Sequence, residues 1–364
     1  MSLPLDQAST LNKTTELDDL ASYNADIFGT DPLDHVVAKL LKSPNLEAFC
    51  SSLPEAEGAL KQVIEERLNK AFVNHDETAK YEIFQSLFSL YEATIAYPLS
   101  PESRNHRRPL LANAKCLIED RWTHELTRKF EKYTHTDTTD ICQAVKAMWE
   151  KHPSHNHELF RFFRDSANLP QIAKMFRSDW ALNIRFYDLL VLSMVGCPLE
   201  AREELSKNFW DEAGRGDASQ SHVRLFNNVL ERVGQTPGDV TSDPIVGWQG
   251  LEGFNLFYLC ATNREHYFKL LGVMAATELI DPLHYDNLVA GCRRLGLEDE
   301  NISYYTEHAS IDIEHANGWL ENVIRPLVKK WPDAAKDILL GVAMRLDSAC
   351  VYYDTVYKDL LKLG

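Results

Sequence analysis

His308, Asp312 and His315, in the segment YYTEHASIDIEHANGW, have the types and spacing of a metal-binding set. At about 100° per residue, steps of four and seven residues return to within roughly 40° of the starting direction, so the three side chains share one helix face and are expected to converge. Two imidazoles and a carboxylate suit iron, manganese or zinc. The same residues would also suit a solvated polar face. A second segment, NFWDEAGRGDASQSHVRLFNNVL, holds Glu212 and His222 on either side of Gly214 and Gly216. Each glycine costs roughly 1 kcal/mol against alanine inside a helix, so the helical pattern is expected to break or bulge there. Ten residues apart, Glu212 and His222 stand roughly 80° apart on an ideal helix, a gap that local unwinding or a π-bulge closes. The plain alternative is a helix-loop-helix with both side chains exposed. Asp188 is the third element, the one acid in the apolar segment FYDLLVLSMVG. Burying it there demands a cation or several donors, so it either meets a metal or faces solvent.

Three helices must deliver these residues, and carboxylate-histidine sets on facing helices are how helical bundles build dinuclear iron or manganese centres. The rest of the chain supports such a scaffold. Apolar residues recur at i, i+3, i+4, i+7 in nearly every segment and alternating runs are almost absent, which predicts an all-α fold. Helices are expected over about 31–43, 54–74, 76–97, 108–132, 139–151, 157–166, 170–195, 198–233, 245–261, 264–280, 282–295, 300–329 and 332–361. Asp281 reads as the N-cap and Pro282 as the first-turn proline of one of these helices. The polar stretch YTHTDTTD before Ile141 reads as a linker. It divides the chain into an N-terminal helical module, 1–138, and a C-terminal domain, 139–364.

The 364 residues carry 54 acidic and 38 basic side chains, a formal net charge of -16. Phosphate contacts would meet repulsion over most of such a surface, so no nucleic-acid partner is expected. No apolar run is long enough to span a bilayer, and the first residues lack the basic-then-apolar pattern of a secretory leader. The seven cysteines include no C-x-x-C pair, against both a disulfide framework and a thiolate zinc site. A cytoplasmic protein without a membrane partner is expected. His152, His155 and His157 in KHPSHNHE read as a proline-containing surface loop, and the remaining histidines lack convergent partners. No G-x-S-x-G, H-E-x-x-H or G-K-[ST] sequence offers a hydrolase or nucleotide-binding anchor.

Over roughly residues 150 to 360 the chain resembles the haem-oxygenase-like diiron oxidases, also called iron-containing redox enzymes. The marks are W-D-E-x-G-x-G-x(5)-H, here Trp210 to His222, the H-x(3)-D-x(2)-H helix, and an acid on an earlier helix, matched to Asp188. The resemblance implies a haem-oxygenase-like helical bundle holding two non-haem irons, with dioxygen as co-substrate. Glu212, His222 and His315 would hold one iron, and Asp188, His308 and Asp312 the other. Ser219 stands where many members carry a further glutamate. Relatives divide between N-oxygenation of amines or amino acids and desaturation or C-C cleavage of amino or fatty acids. An N-terminal helical module resembles the N-oxygenating branch, where such a module helps dimerise. The expectation is therefore a homodimeric N-oxygenase acting on a small amine or amino-acid substrate, with room for an external electron donor. A helical interaction or metal-storage protein is the non-enzymatic alternative.

Overall fold

The computed structural model describes residue 28 and residues 31–236 and 247–363. Every regular element among them is helical, as the apolar periodicity predicts. The chain divides into two compact units, Met1–Ile118 and Glu119–Gly364. The expected boundary at 138/139 thus lies twenty residues late. The YTHTDTTD stretch starts inside a 3-10 turn, Glu131–His135, that packs on a helix of the larger unit, so it is no linker between the two.

The smaller unit contains α1 (Leu33–Lys42), α2 (Leu46–Ser52), α3 (Ala56–Phe72), α4 (Glu77–Glu92) and the short α5 (Glu102–Asn105). Helix α2 falls in a stretch where the apolar spacing is too short to register as a helix. Leu40, Ile64, Ile83, Phe84 and Leu87 form its interior. Both ends of α1 are satisfied by other helices. At its start the Leu33 amide donates to the buried Glu82 carboxylate at 2.9 Å, which Arg67 also meets at 2.8 Å. At its end the Asn105 side-chain amide donates to the carbonyls of Leu40, Leu41 and Ser43, groups no helix can satisfy internally.

Helix α6 (Pro109–Phe130) runs through the division. The larger unit continues with α7 (Ile141–Lys151), α8 (Glu158–Asp165), α9 (Leu169–Met194), α10 (Arg202–Glu212), α11 (His222–Arg232) and α12 (Gly247–Thr262). It closes with α13 (Tyr267–Arg294), α14 (Ser303–Gly318), a π-helical turn Trp319–Ile324, α15 (Arg325–Lys330) and α16 (Ala334–Leu360). Helix α9 opens with a full capping box, Asn168 and Gln171 bonding each other's backbone amides, and Pro170 sits in its first turn. Asp140 caps α7 through the Gln143 amide.

Helix α13 is the spine, packed against α8, α14 and α16. Backbones approach so closely there that a Cβ on Gly272 would strike the Ile338 carbonyl, one on Gly341 that of Lys269, and one on Gly291 that of Phe163. Two helices were expected here, with Asp281 capping the second. The structure instead runs one helix through Pro282, because buried side chains on both sides of the proline, from Leu270 and Met274 to Leu288 and Cys292, hold the segment in one line against its neighbours. Pro282 still removes the hydrogen bond to the Glu278 carbonyl. The single helix expected over 198–233 is two, α10 and α11. Among the described residues no helix is long and apolar enough to cross a membrane.

Candidate metal centre

Glu212 is the last residue of α10 and His222 the first of α11. Between them Gly214, Arg215 and Gly216 adopt φ of 80°, 53° and 92°, a run of left-handed residues that reverses the chain. A Cβ on Gly214 would strike the Asp217 carbonyl and the Ser221 amide, so glycine is required there on both conformational and steric grounds. A tight turn, rather than a π-bulge, closes the angular gap. The Glu212 carboxylate comes within 2.9 Å of His222 Nδ1, both side chains being buried.

His308, Asp312 and His315 are buried along α14, but they do not meet at one point. Seven residues of helix rise about 10 Å, so residues sharing a face are still separated along the axis. His308 joins Glu212 and His222, its ring 4.2 Å from that of His222. Asp312 and His315 join Glu278 of α13, which lies 3.5 Å from His315 Nδ1. Within each trio the ligand atoms lie within 4.8 Å of one another. The grouping the resemblance implied therefore changes: His308 and His315 trade places. Asp188 belongs to neither trio. Its side chain is 38% exposed and pairs with Arg185 at 3.5 Å. Glu278 stands beside Asp312 and His315, where a carboxylate was expected from Asp188. The signal that singled out Asp188, one acid in an apolar run, is equally present at Glu278 in LLGVMAATELI. Ser219 is exposed, its hydroxyl and amide turned to Asp217.

The hydrogen bonds leave imidazole lone pairs facing inward. His308 Nδ1 donates to the Tyr304 carbonyl at 2.7 Å, which leaves Nε2 as the unprotonated nitrogen. His315 Nε2 donates to Asp211 at 3.0 Å, which turns Nδ1 towards Glu278 and Asp312. Neither ring nitrogen of the buried His222 has a hydrogen-bond partner of proper geometry. The orientation of His308 and His315 by outer partners is how metal-binding histidines are held. Sequence reasoning passed over Asp211, although it lies in the W-D-E motif. Without a cation this nest strains its own ionisation. Burial opposes charge on His315, but hydrogen bonds to Asp312 and Glu278 overcome it and lift its pKa to about 11. Burial drives Asp312 well above the usual carboxylate range. His308 is pushed well below the usual imidazole value by burial and by His222. Three buried carboxylates beside three imidazoles are a donor set whose negative charge two divalent cations would offset with one positive charge left over, and oxygen and nitrogen donors suit iron.

A cavity of about 80 Å³ adjoins both trios. Glu212, Glu278, His308 and Asp312 line it, and so do Asp179, Asp281 and Arg345. The histidines of KHPSHNHE are elsewhere. His157 Nδ1 accepts from the Leu159 amide at the start of α8, so its other nitrogen carries the proton and has no lone pair for a metal, although Cys350 and Asp354 stand nearby.

A family profile described as iron-containing redox enzyme matches residues 174–349, a span that includes both trios and Asp211. Nitrosourea synthase from Streptomyces achromogenes subsp. streptozoticus is 31% identical over 155 residues, covering 39% of this chain and 30% of that protein. The match thus spans under a third of the relative's length.

Proposed function

We propose that the protein is a non-haem diiron oxygenase that N-oxygenates an amine or amino-acid-derived substrate; the match of residues 174–349 to the iron-containing redox enzyme family supports an oxidoreductase. The observation that carries this reading is the pair of buried trios, Glu212–His222–His308 and Glu278–Asp312–His315, side by side along α14. Three protein ligands each leave coordination positions for dioxygen, which a storage site does not need. When bound, two irons would relay electrons to dioxygen and supply the electrophilic chemistry that activates it. The balanced conversion is amine plus dioxygen, two electrons and two protons giving hydroxylamine plus water, the electrons coming from an external donor.

The chain's own groups prepare the place for this. The Tyr304 carbonyl and Asp211 fix the rings of His308 and His315. Phe226 and Tyr304, stacked edge to face at 4.9 Å, help keep water from the buried trios. The likeness to nitrosourea synthase supports nitrogen as the acceptor. For the smaller unit we propose pairing of two copies, supported by Val73, Tyr97 and Leu99, each more than half exposed. All seven cysteines are free, which supports a cytoplasmic location.

Anaerobic loading with ferrous iron tests the reading. About two equivalents per chain are expected, followed by oxygen uptake in step with an amine-bearing substrate and transfer of labelled oxygen to its nitrogen. Uptake of clearly less than one equivalent overturns it. An unlabelled product two hydrogens lighter replaces N-oxygenation by desaturation, and iron binding without any oxygen consumption leaves a storage protein.

A further inference from the structure

The cavity beside the trios has a charged wall that metal binding does not use. Arg345 of α16 is 7% exposed. Its Nε donates to Thr277 Oγ1 at 2.9 Å and its guanidinium lies over the Phe257 ring at 5.1 Å, which fixes the plane of the fork. That is its one side-chain hydrogen bond among the described residues, and Arg345 is one of the residues lining the cavity, so its terminal nitrogens are left without a hydrogen-bond partner. A buried guanidinium held this way is a ready carboxylate clamp. Asp179 of α9 and Asp281 of α13 line the same cavity. Tyr352 donates to Asp179 at 2.8 Å and in turn meets Ser178 at 2.6 Å. Tyr285 hydrogen-bonds Asp281. Both acids are thus oriented by hydroxyls while neither forms an ion pair with Arg345, although its charge reaches both.

We infer that this wall is the substrate's anchor and that its ligand is a free amino acid, the carboxylate taken by Arg345 and the ammonium by Asp179 and Asp281. This deepens the proposed function and rests on it for the chemistry that follows binding. Arg345 and the two carboxyl groups give one cavity lining both signs of charge, which is complementary to a zwitterion. A volume of about 80 Å³ is far below the ~300–1,000 Å³ of sites for drug-sized ligands, which favours a small free acid over an acyl chain. With both charged groups held at the wall, the rest of the ligand is left to extend towards Glu212, His308 and Asp312.

Equilibrium binding to the full chain, loaded anaerobically with ferrous iron, tests this without turnover. The twenty common amino acids are titrated by calorimetry, and each binder is compared with its decarboxylated amine and its deaminated acid. At least one amino acid should bind, and removal of either group should weaken binding by tenfold or more. Arg345→Gln should abolish the discrimination against the amine, and Asp179→Asn or Asp281→Asn that against the acid, each checked by circular dichroism. Absence of binding by any amino acid overturns the inference, as does an amine or acid that binds as tightly as its parent. If a variant fails to fold, the wild-type series alone decides. Iron stoichiometry separates the two levels: normal iron with no amino-acid binding sinks the anchor alone, whereas failure to bind iron sinks the oxygenase reading.

Discussion

His308→Ala and His315→Ala should each lower iron content from about two to about one per chain while leaving helical content unchanged, but they should empty different trios. Glu212→Ala should then behave as His308→Ala does, and Glu278→Ala as His315→Ala does. Iron analysis of the double variants decides: Glu212→Ala with His308→Ala should retain about one iron, whereas Glu212→Ala with His315→Ala should retain almost none. Asp188→Ala should change neither content nor turnover. These expectations mark where the sequence could be read at this scale. The angular period of α14 shows that His308, Asp312 and His315 share a face, yet it is silent on the rise of about 10 Å between the two histidines, which assigns them to different partners. Asp188 and Glu278 give the same sequence signal, an acid among apolar residues. Which of them points inward depends on helix rotation, and only packing fixes that.

At the scale of elements, the reversal between α10 and α11 is the most exacting piece of backbone. Gly214→Ala should destabilise the protein by about 2 kcal/mol or more, from the left-handed φ and the overlap with the Asp217 carbonyl together. It should also lower iron content, because His222 begins the helix that follows. Thermal unfolding with iron analysis checks both, and an unchanged melting temperature would show that the turn relaxes freely. The glycines themselves were legible as a break, and the break brings Glu212 and His222 together. Pro282 was misread because a proline after an aspartate has the local grammar of a helix start. The close seating of α13 on its neighbours overrides that grammar, a tertiary effect that no window of sequence contains.

For the whole molecule, the acids of the cavity set a pH dependence. The folded pKa of Asp281, about 8, lies above its unfolded value, so the native state binds the extra proton between about pH 4 and 8. Stability from this group is therefore present in acid and falls as pH rises through that window. Iron-free protein should melt at lower temperature at pH 8 than at pH 5.5 by more than the Asp281→Asn variant does, and equal slopes would remove Asp281 as the cause. Sedimentation should give the mass of two chains if the smaller unit pairs them. The all-helical class was readable throughout, since periodicity survives in every long helix. The division at Ile118 was not, because it falls within a continuous helix where composition does not change.

Asp211 has one further consequence, for time rather than affinity. The carboxylate that orients His315 from within also receives Arg215 from the surface at 2.6 Å, and Arg215 in turn reaches Glu307 at 3.4 Å while half exposed. A partly solvated ion-pair chain from Glu307 through Arg215 to Asp211 thus links the residue that orients His315 to the surface. Salt weakens such a pair, so the half-life of bound iron against a chelator should shorten as ionic strength rises, and Arg215→Gln should shorten it at low salt to nearly the high-salt value.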